Sequence, residues 1–310
     1  MKLGAAGLVL CLGLAGCGDG TPFNGETDTT DGGAGDTAPG SVYLNTDNQN
    51  LTANSITYDA DKDELTINNI PFDDPNNTYV RIKDTAFSNG FAAYQSDPAP
   101  DSNEFRYFAV FRRSDSGLSQ AGATQSNAYI EFGFGGAGAQ RVSGNTAVPA
   151  TGIYSYSGEY AAVRVVRTTD DNDNPVAELY YVTGGMEMTA DFGDFDEVGA
   201  VGGGVRNRTL YDTAGQPLGA LDGIVSFANS EIDRTTGTIK SGTAVEVTGG
   251  TQTLNDGYQG GEISATGNWS GVFAGPGAEE IAGIVFVEGA GMREVGSVVV
   301  TCKTAPECTD

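Results

Sequence analysis

The stretch Trp269-Ser270-Gly271-Val272-Phe273-Ala274-Gly275-Pro276-Gly277-Ala278-Glu279-Glu280-Ile281-Ala282-Gly283-Ile284-Val285-Phe286 decides the fold. It reads as a strand, a tight Gly-Pro-Gly turn and a second strand, the pattern of a β-hairpin. Upstream, Ile263, Ala265, Gly267, Trp269, Gly271 and Phe273 share one face of the first strand, while Ser264, Thr266, Asn268 and Ser270 share the other. Small residues beside a large aromatic suit a curved, closing sheet.

The same alternation continues outward along the chain. Ile281 to Val287 and Val295 to Thr301 follow the hairpin, and Ile224 to Phe227 and Thr238 to Val247 precede it. Tyr154, Tyr156 and Tyr160 fall on one face of a strand after the connector 145–152. Glu178 to Val182 and Met186 to Phe192 flank Thr183-Gly184-Gly185, which reads as a hairpin turn. Nearer the start, Ile56 and Tyr58, then Leu65 and Ile67, flank an Asp-rich turn at Asp59 to Asp63. Phe105 to Phe111 and Ala128 to Phe134 are further strand candidates. No long run of helical periodicity interrupts the series. The expectation is an all-β chain: a β-sheet domain followed by a small antiparallel barrel of about eight strands.

Composition narrows the chemistry. The 310 residues hold 46 Gly, no His, and 16 basic against 41 acidic side chains, for a net charge of −25. That charge repels phosphate backbones and disfavours nucleic-acid binding. Without His, Ser-His-Asp and Cys-His catalysis and His-ligated zinc are excluded.

The first residues read as a targeting segment. Met1-Lys2 precedes the apolar run Leu3 to Leu14, which ends in Leu14-Ala15-Gly16-Cys17. The run is too short to span a bilayer. It resembles a bacterial lipoprotein signal, which implies cleavage before Cys17 and a lipid on its thiol. Residues 18–41, rich in Gly, Asp, Thr and Pro, read as a flexible acidic tether. The tail holds Cys302 and Cys308, whose spacing fits a small disulfide loop in an oxidising envelope and no usual metal site.

Other motifs lack the context their chemistry needs. Gly133 to Gly138 satisfies G-x-G-x-x-G, but Gln140 to Asn145 reads as a turn where a dinucleotide site needs a helix, so the glycines read as a loop or bulge. Asp59-x-Asp61-x-Asp63 and Asp170 to Asn174 are spaced as calcium loops begin, yet neither continues as an EF-hand, and solvated turns account for both. Asp191, Asp194, Asp196 and Glu197 supply carboxylates for an alternative reading, an envelope glycoside hydrolase using a pair such as Asp194 and Asp196. No cofactor and no metal is expected.

The hairpin carries a resemblance. Its aromatic–Gly–x–Phe strand, turn and Gly-containing second strand are similar to the closing hairpin of the barrel in transferrin-binding protein B and related surface lipoproteins. The matching positions are Trp269, Gly271, Phe273, Gly275, Ala278, Glu279 or Glu280, and Gly283. Thr151 to Tyr160 looks like that domain's opening strand, and Ala190 to Phe192 with Val201 to Val205 like its middle strands. The resemblance spans about 150–290 and marks a barrel, not a ligand site. It implies residues 149–301 as the barrel and 42–148 as a handle-like sheet domain, beside the signal at 1–16, the lipidated tether at 17–41 and the tail at 302–310 read from their own residues. The function it implies is non-catalytic: a lipid-anchored surface protein that captures a protein or nutrient ligand, with an outer-membrane transporter as a further partner.

Overall fold

The structure is a computed structural model that describes residues 41–43, 51–73, 78–98, 103–128, 131–142, 146–194, 198–249, 251–253, 257–259 and 261–303. These residues are almost wholly strand and turn, built into two large antiparallel sheets.

The first sheet holds β1 (Ser41–Tyr43), β2 (Ser55–Asp59), β3 (Glu64–Asn68), β4 (Thr78–Arg81), β5 (Ala92–Ser96), β6 (Phe108–Arg113), β7 (Ser119–Gln125) and β8 (Gly135–Arg141). Its order is β1-β8-β7-β6-β5-β4-β3-β2, a meander in which β2 to β8 pair with their sequence neighbours. A parallel bridge from Leu51 to Gly135 brings the two ends of that run together, so the sheet is nearly closed. One face packs around Ile56, Leu65, Ile67, Tyr79, Tyr94 and Phe111.

The second sheet comprises β9 (Ile153–Thr169), β10 (Pro175–Asp191), β11 (Ala200–Tyr211), β12 (Pro217–Ala220), β13 (Ile224–Asp233), β14 (Thr238–Thr248), β17 (Glu262–Ala274), β18 (Glu280–Glu288) and β19 (Met292–Cys302). A short hairpin, β15 (Thr251–Thr253) with β16 (Gly257–Gln259), stands apart. Because β10 pairs with both β9 and β11, eight strands close into a barrel and β12 extends its rim. Closure satisfies the backbone donors and acceptors that an open edge would leave unpaired.

Period 2 sorts the barrel's side chains. Tyr154, Tyr156, Tyr160, Met186, Met188, Val201, Val205, Phe227, Trp269, Phe273, Val285 and Val298 form the interior. The opposite parity of β9, β18 and β19 (Ala161, Val163, Val165, Ala282, Ile284, Val295, Val299) faces the first sheet and packs on Val110, Ala121, Ala123, Ala137 and Ala139. Alanine and glycine on the first sheet let the two layers approach closely. On the other face of that sheet, a Cβ at Gly136 would lie 2.4 Å from that of Ala53, in the segment that precedes β2.

Polar contacts fasten the layers. Ser116 Oγ and Ser119 Oγ donate to the two oxygens of buried Glu280 at 2.5 and 2.6 Å. Arg141 donates to the carbonyls of Phe273 at 2.8 Å and Thr236 at 3.0 Å, and Asn89 to that of Tyr160 at 2.9 Å. Hydrogen bonds to a buried carboxylate are each worth about 1.5–3 kcal/mol. Glu280→Ala is therefore expected to cost about 2 kcal/mol or more in urea unfolding. A cost under about 0.5 kcal/mol would show that the apolar faces alone hold the layers together.

Three local expectations are corrected. Thr183-Gly184-Gly185 is no turn: β10 runs unbroken through it, and the register with β11 slips there as a bulge. The hairpin turn lies at 170–174 instead, where Asp170 Oδ1 accepts from the amides of Asn172 at 2.8 Å and Asn174 at 2.9 Å. Secondly, 131–134 of the Ala128–Phe134 candidate is turn and coil, and the strand begins at Gly135. Thirdly, Gly135, Gly136 and Gly138, read as a loop or bulge, lie within β8. Tight packing selects small residues there, since a Cβ on Gly135 would lie 2.3 Å from the Thr124 carbonyl.

Candidate functional site

The sequence-marked residues form the β17–β18 hairpin. Trp269, Gly271 and Phe273 lie on β17 and Gly283 on β18, with Gly271 and Gly283 directly paired. Gly275 turns the corner at φ +88°, a conformation that favours glycine. The Gly277 amide donates to the Glu279 carboxylate at 2.9–3.0 Å, and Ala278 carries φ +63° at the end of the turn. Trp269 is fully buried, stacks on Phe227 at 5.1 Å between centroids and donates Nε1–H to the Ala228 carbonyl at 3.0 Å. Space for its indole comes from Gly242, whose added Cβ would lie 2.7 Å from Nε1. These residues build the barrel. Cys302 ends β19, opposite Tyr156, while Cys17 and Cys308 lie outside the described residues.

Inside the barrel sits a group that the sequence reading missed. Arg164 on β9, Arg208 on β11, Glu246 on β14 and Glu294 on β19 meet in a four-membered ionic ring. Arg164 Nη1 lies 2.8 Å from both carboxylates, and Arg208 donates to Glu246 at 2.6 Å and to Glu294 at 2.6 and 2.8 Å. The Tyr160 hydroxyl donates to Glu294 at 2.5 Å and Ser264 Oγ to Glu246 at 3.0 Å. Side-chain exposure is 0% for Arg208 and Glu294, 1% for Glu246 and 11% for Arg164, so the ring fills the bore. Two cations balance two anions, which keeps the buried charge tolerable. Burial pushes Glu246 upward, but the charges of Arg208 and Arg164 outweigh it and hold the carboxyl below its ordinary range. Burial, with the Glu294 charge, drives the Tyr160 phenol well up. The available signal was a charge on the apolar parity, as in Tyr160-x-Ala162-x-Arg164 and Met292-x-Glu294-x-Gly296.

An open concavity lies on the outside of the barrel. A groove of about 340 Å³ crosses β9, β10 and β11 and is lined by Ser157, Glu159, Gly185, Glu187, Arg206 and Lys303, among others. Glu159, Gly185 and Arg206 stand side by side across three paired strands. Gly185 makes the gap, because a Cβ there would meet nothing within 4 Å. Arg206 Nη1 lies 3.5 Å from Glu187, both partly exposed. Burial raises the pKa of Glu159, against the opposing charge of Arg112 from the first sheet. The bulge in β11 carries Asn207 at φ +52°, which sets Arg206 and Arg208 on opposite sides of the barrel wall.

The acidic motifs make mostly local contacts, except that Asp63 accepts from Tyr94 on β5 and from Arg81 on β4, both at 2.8 Å. Asp59 Oδ1 accepts from the amides of Asp61 at 3.0 Å and Lys62 at 3.2 Å, and Asp191 Oδ1 from that of Gly193 at 3.0 Å. Asp194 accepts the Gly199 amide through its carbonyl at 2.8 Å, whereas Asp196 and Glu197 lie outside the described residues.

No family model and no curated protein matches the sequence. Among solved structures, the chain is similar to a mutant of the vaccine antigen transferrin binding protein B from Haemophilus parasuis Hp5. The identity is 15% and the TM-score 0.39, over 88% of this chain and 47% of that one. It is also similar to intact transferrin binding protein B with N and C lobes, at 16% identity and TM-score 0.38, over 88% of this chain and 48% of that one. A third is described as a surface lipoprotein, at 17% identity and TM-score 0.33, over 75% of this chain and 96% of that one. The chain thus spans about half the length of the first two.

Proposed function

We propose that this protein is a lipid-anchored, non-catalytic binding protein of the bacterial envelope, held at the outer membrane by a lipid on Cys17 and facing the medium. Its work is to capture a protein or nutrient ligand and to present it to an outer-membrane transporter. The Cys302–Cys308 disulfide closes the tail. The observation that carries the reading is the solid barrel. A bore occupied by Trp269 and the ring of Arg164, Arg208, Glu246 and Glu294 leaves partner contact to the outer surface and rim loops. The outer face of β14 and β17, with Lys240, Thr243 and Thr266 exposed, is polar where a lipid-facing strand would be apolar.

Protease added to intact cells tests the location: digestion from outside supports capture at the surface, whereas protection until permeabilisation overturns it. Cys17→Ser tests the anchor. The variant is expected in the soluble fraction and unlabelled by radioactive palmitate; a variant still labelled and still in the membrane pellet would refute lipidation at Cys17.

A further inference from the structure

We infer that the groove across β9, β10 and β11 is a binding site for a short peptide with free termini, its ammonium set against Glu159 and its carboxylate against Arg206. This deepens the capture reading by naming a ligand class for one surface.

The argument begins with register. Glu159, Gly185 and Arg206 occupy one row over three neighbouring strands, so an anionic and a cationic side chain flank a position with no side chain. Two strand spacings separate the outer Cα atoms by about 10 Å. An extended tripeptide spans about the same length. The charges of a single amino acid are too close together to reach both walls.

The chemistry of the walls agrees. Glu159 is half-buried beside the first sheet, where an ammonium replaces the hydration that the carboxylate has lost. Arg206 is 35% exposed, and its contact with Glu187, itself 55% exposed, is a surface pair of small worth. A ligand carboxylate can join or displace it. Lys303, at the tail of β19, adds a second cation, and the Ser157 hydroxyl and Asn207 amide line the space between with groups that pair with peptide N–H and C=O. The cavity volume lies at the small end of the range for ligand sites.

The test is calorimetric titration of the purified full chain in detergent with trialanine, against trialanine acetylated and amidated at its ends. Saturable binding of trialanine is expected, weaker by at least about tenfold when both termini are blocked. Gly185→Val places a Cβ where nothing lies within 4 Å and is expected to weaken binding by about tenfold at an unchanged melting temperature, as is Arg206→Gln. The proposal is overturned if trialanine shows no saturable binding up to about 10 mM, if the blocked peptide binds equally well, or if Arg206→Gln leaves the affinity unchanged. Should Gly185→Val melt early, Arg206→Gln alone decides. Purified protein reports on the groove wherever the cell holds it. Failure here therefore leaves the surface reading standing, and protection of the protein in intact cells leaves this result standing.

Discussion

Arg208→Met is expected to lower the unfolding free energy by about 3–5 kcal/mol, the usual cost of removing one partner from a buried ion pair. The guanidinium is fully buried and contacts Glu246 and Glu294 together. Its loss leaves two carboxylates in the barrel with one cation, Arg164, between them. The chain has a single tryptophan, Trp269, in the same interior, so its fluorescence during urea unfolding reports the barrel. A loss below about 1 kcal/mol would show that water reaches the ring and hydrates the abandoned charges. Replacing all four ring residues by apolar ones of similar size should be close to neutral, because desolvation costs vanish with the attractions. The contrast between the single and the fourfold variant separates the strength of the ring from its role in holding one interior arrangement.

The ring also sets an acid limit. Glu246 is held below 4.5 in the folded barrel, so its contribution is fully present above that value and is lost as pH falls through the folded value. Stability of the parent should therefore lose this contribution only below about pH 4.5. Glu246→Gln should reduce that acid dependence while lowering stability at neutral pH.

The second large effect belongs to Trp269→Ala, expected to cost about 3–5 kcal/mol, as for other large aromatic truncations in cores. The indole has no exposure, a stacked partner in Phe227, and a hydrogen bond to the Ala228 carbonyl at 3.0 Å. Phe227 on β13 and Gly242 on β14 close on it within a paired sheet, so the barrel wall cannot easily collapse into the void. Calorimetry is the suitable readout, since the variant loses its own fluorescence. A shift in melting temperature of less than about 3 °C would mean that the interior repacks, and would place the anchor of the barrel elsewhere.

The local readings that succeeded rest on short-range physics. Met186, Met188, Ala190 and Phe192 alternate on one face in the sequence and line the interior in the structure. Gly275-Pro276-Gly277 reads as a turn and is one. Ile263 departs from its row: a register slip between Glu246 and Val247 falls where it pairs, and it is 52% exposed. Thr183-Gly184-Gly185 misled because glycine serves a turn and a crowded strand equally well. A Cβ on Gly184 would lie 2.8 Å from Val205, a contact that only the closed barrel reveals.

The all-β class, the inward rows of β9 and β10, that of β17 from Ala265 onward, and the lack of imidazole chemistry are legible in the sequence, because alternation and composition are properties of neighbours along the chain. What the charges do depends on the closed fold. Arg164, Arg208, Glu246 and Glu294 lie far apart in sequence and become one neutral group only when β9, β11, β14 and β19 close around them. Glu159 and Arg206 likewise face each other across Gly185 only because β10 pairs on both sides. Coulomb energy and desolvation depend on distance and burial, and closure of the barrel sets both.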